Sequence, residues 1–156
     1  MDRFQTLLLW PSALGALLIA GVFFAFSNFV MRGLERLPAS QAVSAMNSIN
    51  ITVINPLFMA LFLGTGLICA ALALMNLSSL PDPVAVRVLA ASAVYLIGCI
   101  GVTMMFNVPL NDRLAAGQAD SAALWADYLK SWVMWNSVRA LASLAAGALL
   151  FSALIA

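Results

Sequence analysis

An amide and a guanidinium, Asn136 and Arg139, stand near the start of an otherwise apolar run in WVMWNSVRALASLAAG (132–147), with Trp132 and Trp135 beside them. Fixed hydrogen-bonding groups and a cation set in an apolar wall are equipped to hold a polar atom of a mainly apolar molecule. The chain contains no histidine, which removes the commonest metal ligand and proton shuttle. Neither a CxxC pair nor a carboxylate-rich helix replaces it, so no haem, zinc or di-iron site and no other metal site is expected. Cys69 and Cys99 fall inside apolar runs and are read as free packing cysteines.

The elements that must position these residues follow from composition. Of 156 residues, 64% are hydrophobic and 8% charged, against about 25% charged in soluble domains. Such a chain cannot cover a water-facing surface, so an integral membrane protein in contact with the lipid bilayer is the class that fits. A net charge of +1 gives no reason to expect nucleic acid. A membrane span needs about 20 mainly apolar residues, and four stretches qualify, at 5–31, 51–76, 84–108 and 132–156. Asp82 reads as an N-cap with Pro83 in the first helical position. Pro109 is expected to close the third span, and the helices carrying spans two and four to begin near Ser40, read as a cap, and near Ser121.

These spans predict an all-α fold, an antiparallel four-helix bundle in one domain over residues 1–156, with both termini on one side. Arg32, Arg36, Arg113, Lys130 and Arg139 lie towards the opposite side, against Arg3 and Arg87 on the terminal side. By the positive-inside rule the termini face outward, and the bacterial inner membrane is the expected location.

Because the spans alternate in direction, one depth collects residues from opposite ends of successive helices. At 1.5 Å per residue from the terminal side, Asn28 lies at about 33 Å, Asn55 at about 30 Å, Asn107 at about 35 Å and Arg139 at about 26 Å. All four helices thus carry polar side chains to one edge of the bilayer. On the fourth helix Asn136, Arg139, Ser143 and Gly147 fall on one face. Ser92, Cys99, Thr103 and Asn107 form a stripe on the third, and Gly21 aligns with Asn28 on the first. These faces are expected to point at the bundle axis. Each residue also has a plainer reading: amides as interhelical hydrogen-bond glue, Arg139 snorkelling to the interface, and Trp125, Tyr128, Trp132 and Trp135 as an aromatic belt. Together they favour a site, because polar groups inside membranes are functional candidates by default.

Several motifs are shared with a known family. GVFFAFSNFVMRGLERLP (21–38), AMNSINITVINPLF (45–58), VTMMFNVPLNDRL (102–114), Trp125, Tyr128 and WNSVR (135–139) resemble the anthrone oxygenase-like family of four-span membrane proteins, over nearly the whole chain. The chain departs from the family pattern at Arg32 and Gly33, after the methionine of the first motif. The resemblance implies oxidation of a flat phenolic or anthrone-like apolar substrate by O₂, without cofactor. An anthrone that loses its methylene proton becomes an electron-rich anthrolate able to reduce O₂ itself. The protein then has to stack the rings, stabilise an oxyanion, accept a proton and exclude water.

On that reading Trp132 and Trp135 supply stacking surface, and Arg139, Asn136 and Asn107 stabilise the oxyanion. Asp112 is the candidate base, with an Asn-bound water or the substrate's own acidity as alternatives. Asn28, Asn50, Asn55, Asn111 and Thr103 line the remainder. Two other readings fit the same residues: a non-catalytic four-span subunit or assembly factor, alone as a homo-oligomer or in a membrane complex, and a binding module for an apolar metabolite or quinone.

Overall fold

The computed structural model describes residues 3–117 and 122–156. Four helices are long and apolar enough to cross a membrane: α1 (Arg3–Glu35), α3 (Pro56–Ser79), α4 (Pro83–Ala116) and α5 (Ala122–Leu154). A shorter helix, α2 (Ala39–Thr52), lies between the first two. The long helices pack in a closed ring, α1 on α3, α3 on α4, α4 on α5 and α5 back on α1, with the last interface the most extensive. Large side chains such as Leu67, Leu74 and Ile97 point outward, each more than 70% exposed. Backbone groups satisfied within helices and an apolar exterior are what a bilayer requires. The protein is an all-α, multi-pass membrane protein.

Lipid tails are as apolar as leucine, so close approach and interhelical hydrogen bonds must hold such helices together. A Cβ on Gly15 of α1 would fall onto the Thr65 hydroxyl of α3. On α5, a Cβ on Gly147 would lie 2.8 Å from Leu17 Cδ2 of α1. Tyr95 of α4 donates to Phe62 O of α3 at 3.1 Å, and Arg87 Nη1 donates to Ser152 O of α5 at 3.2 Å. The start of α4 follows its sequence signal, with the Asp82 carboxylate accepting from Val84 N and Ala85 N. Both cysteines are free and buried.

Three boundaries differ from expectation. The helix does not run from Ser40 through the second span. It stops at Thr52, and Asn55 adopts extended backbone (φ −117°, ψ 158°) before restarting α3 as its N-cap. Pro56 is the cause: it lacks an N–H, and its ring disfavours helical backbone in the residue before it. Ser40 does not cap α2; Pro38 occupies that position without a side-chain cap. Nor does Pro109 end the third span, because α4 continues to Ala116. A π segment, Thr103–Asn107, precedes it, and Val108 N still bonds to Thr103 O. The α-helical ladder restarts at Pro109, where a missing donor costs little. The start proposed near Ser121 lies outside the described residues.

Further π segments occupy Phe26–Val30 of α1 and Val94–Gly101 of α4. The buried apolar side chains fall into two clusters. One runs from Leu9 and Leu150 to Phe23 and Cys99. The other joins Met31, Met46, Leu114, Trp125, Tyr128 and Trp132 at the opposite end. Between Phe23 and Trp132 lies a polar layer.

Candidate active site

Arg139 is the centre of that layer. It is 6% exposed, with its guanidinium carbon 4.0 Å from the centroid of the Phe23 ring and 5.3 Å from that of Trp132. Nη2 donates to Asn136 Oδ1 at 2.7 Å, and Nη1 to Thr103 Oγ1 at 3.2 Å. Nε is buried without a partner. The cation therefore meets two neutral oxygens and two aromatic faces; among the described residues no carboxylate bonds to it. Cation–π contacts contribute about 0.5–2 kcal/mol each, less than the several kcal/mol that burying an ion costs. An anionic oxygen placed here would make up that deficit.

Each neighbour is held in place from another helix. Asn136 Nδ2 donates to Phe23 O and to Ser27 Oγ, both at 2.7 Å, which fixes the amide so that its oxygen faces Arg139. The Ser27 and Ser137 hydroxyls lie 3.0 Å apart. Phe23 O, three residues before the Phe26–Val30 π segment, is the carbonyl that accepts from Asn136. Thr103 donates to Cys99 O at 2.7 Å, leaving its oxygen to accept from Arg139. Asn107, one turn on, donates to Trp132 O at 3.3 Å, and its Oδ1 is buried without a partner. Arg139 Nε is thus a donor atom in this layer with no partner, and Asn107 Oδ1 an acceptor atom with none.

A second knot lies beyond Trp132. Asn111 Oδ1 accepts from Tyr128 OH and from Trp132 Nε1, both at 2.9 Å. The two rings stack at 6.2 Å, and Trp125 stacks on Tyr128 at 5.7 Å. In an α-helix, residues four apart drift by about 40° per step, given 3.6 residues per turn. The wider π register of Val94–Gly101 and Thr103–Asn107 reduces that drift, so Thr103, Asn107 and Asn111 all reach α5. Tyr128 also lines a cleft of about 300 Å³ between the end of α4 and the start of α5, with Leu110, Arg113, Leu114, Leu124, Asp127, Lys130 and Ser131. Arg139 does not line this cleft; Tyr128 and Trp132 stand between them.

The structure brings Arg139, Asn136, Thr103, Asn107, Trp132 and Asn111 into this region. Asn50 comes beside Tyr128, with a buried Nδ2 that has no partner. Four expectations are corrected. Asn28 is exposed, and so is Gly21; Ser27 faces Asn136 in its place, because the buried row of α1 runs through Ala16, Ala20 and Phe23. Asn55 is exposed and committed to capping, accepting from Phe58 N at 3.0 Å. Asp112 is exposed on the outer face of α4, away from the guanidinium. Trp135 stacks on Phe106, with centroids 3.6 Å apart, instead of on the Arg139 layer. Phe23, Ser27 and the tethering role of Tyr128 were missed. The row of small residues Ala13, Ala16 and Ala20 was the signal that would have led to Phe23 and Ser27.

Fold and site together define a polytopic α-bundle with a buried, cationic, aromatic-lined polar layer. The family model for anthrone oxygenase matches residues 58–149, more than half of the chain, and the protein belongs to the anthrone oxygenase family. The match takes in Thr103, Asn107, Asn111, Trp132, Asn136 and Arg139. It does not reach the motifs at 21–38 and 45–57, so it is shorter than the near full-length resemblance read from the sequence. No curated protein and no solved structure matched the chain.

Proposed function

We propose that the protein is a cofactor-independent membrane oxygenase that converts an anthrone-like, flat phenolic substrate to the corresponding quinone. The observation that carries this reading is Arg139: a guanidinium buried between two aromatic faces, with neutral acceptors only and Nε unused. Such a group is preorganised for charge that develops during reaction, and it acts strongly where water is excluded.

The substrate's methylene carbon loses a proton, and the negative charge moves to the carbonyl oxygen across the central ring, which accepts a hydrogen bond from Arg139 Nε. The carbanion character at that carbon reduces O₂, forming a carbon–oxygen bond and a hydroperoxide. Loss of water from the hydroperoxide gives the second carbonyl, so anthrone plus O₂ becomes anthraquinone plus H₂O. Asn107 Oδ1 is the acceptor placed to take a hydrogen bond from a substrate hydroxyl. With Asp112 outside the layer, the substrate's own acidity, enhanced by the nearby cation, drives deprotonation and water carries the proton away.

Substrate reaches the layer from the cleft past Tyr128 and Trp132, whose shared tether to Asn111 must loosen. The chain works as one domain, with the cleft side towards the cytoplasm of a bacterial inner membrane. The rings that close the space between cleft and guanidinium also favour a second reading, a binding module that holds a quinone without turnover.

The test is oxygen uptake by purified protein with an anthrone. Quinone should form with one O₂ consumed per substrate, and the rate should survive exhaustive chelation. Uptake no faster than the uncatalysed reaction leaves the binding module; loss on chelation removes the cofactor-free mechanism.

A further inference from the structure

The mechanism makes no use of the charges around the cleft. Arg113 of α4 and Lys130 of α5 are both exposed and both line it, with Asp127 as the single carboxylate and Ser131 as a neutral hydroxyl. Among the described residues none of the three charged groups is held in an ion pair or hydrogen bond. The remaining wall is Leu110, Leu114, Leu124 and the Tyr128 ring. Its volume of about 300 Å³ is at the lower end of small-ligand sites. An apolar trough ending in two unpaired cations complements a flat aromatic molecule that carries one acidic group.

We propose that this cleft is a capture site for an aromatic carboxylate, with its rings along the leucines and Tyr128 and its carboxylate between Arg113 and Lys130. The assignment rests on the oxygenase reading and narrows its substrate class: the preferred substrate bears an acidic substituent remote from the reacting carbon. The geometry then gives the order of events. The acidic end is held at the aqueous rim, while the uncharged rings face Tyr128, and through it Trp132 and the guanidinium. A carboxylate kept at the rim cannot occupy Arg139, which stays available for the charge that forms at the far end of the molecule.

The test is binding, read without turnover, with the full-length protein in phosphatidylcholine nanodiscs and tryptophan fluorescence as the signal. Anthraquinone-2-carboxylate and uncharged anthraquinone are the probes; both are already oxidised. Two charge-assisted contacts at a partly exposed site predict a preference of about tenfold for the acid. The double variant Arg113→Met/Lys130→Met should lose that preference and still bind the uncharged probe. Arg113→Lys/Lys130→Arg should retain it, and Asp127→Asn should raise affinity for the acid about threefold. Equal binding of both probes by wild type, or a preference that survives the methionine pair, overturns the proposal. Retention of added phosphatidylglycerol by wild type but not by the methionine pair, with no preference for the acidic probe, assigns the cleft to a lipid headgroup and also overturns it. Arg139→Leu separates the two readings: it should lower turnover about 10²- to 10³-fold and leave the preference for the acid intact.

Discussion

The two ends of the bundle are built differently. From Leu9 to Phe23, α1 is regular α-helix, and it meets α3 and α5 through small residues such as Ala13, Gly15, Ala16 and Gly147. At the other end, α1 and α4 pass into the π segments Phe26–Val30 and Thr103–Asn107, and polar side chains replace small ones; the third π segment, Val94–Gly101, belongs to the packed part, with Tyr95 and Cys99 in its core. The second span, α3, stays free of π turns and sends no polar group to the Arg139 layer. Regular helix suffices where the task is close packing. Where polar groups from three helices converge around one cation, the ladder is locally rewound, and the Phe23 carbonyl accepts from a side chain. Irregularity here coincides with chemistry, as π turns often do.

Substitutions at the two ends should therefore fail in different ways. The largest effect is expected for Arg139→Leu, which removes the oxyanion partner. Turnover should fall about 10²- to 10³-fold, the range seen when one such donor is lost, while helicity and thermal unfolding stay close to wild type because no ion pair is broken. A variant that turns over normally would shift the reaction away from the polar layer. Gly15→Val tests the packed end. The added side chain must displace Thr65 of α3, so about 1–3 kcal/mol of stability should be lost, with the remaining folded fraction fully active; a stable but inactive protein would contradict the division. The smallest change is expected at residues that the structure places outside both ends. Asn55→Ala should cost about 1 kcal/mol through its cap and leave kcat and KM unaltered. Asp112→Asn should change stability by less than about 0.5 kcal/mol and leave kcat unaltered. A fall in kcat in either variant would restore that residue to the site.

The four spans were legible because length and hydropathy suffice to find them, and the Asp82–Pro83 start because capping is local. The inward face of α5 was legible as well: Asn136, Arg139, Ser143 and Gly147 are all buried, as 3.6-residue periodicity requires. Failure came where that periodicity does not hold or has nothing to act on. On α1 both the lipid face and the core face are apolar, so the face was assigned from Asn28, one position from Ser27, which makes the contact. Only the π segment and the small-residue row separate the two. At Asn55 the error lay in counting depth along a helix that Pro56 interrupts. At Pro109 it lay in treating proline as a stop when the preceding ladder had already changed register. Asp112 was chosen by residue type, and a single turn of α4 carries it to the outside.

One oxygen, Asn111 Oδ1, restrains both Tyr128 and Trp132. Two aromatic shutters hung from one latch cannot be tuned independently: whatever strips one of its bond competes at the same lone pairs as the other. Replacing Asn111 with leucine would unlatch both at once: on the proposed route, a single side chain at the end of α4, far from the atoms proposed to react with oxygen, would govern admission to the interior.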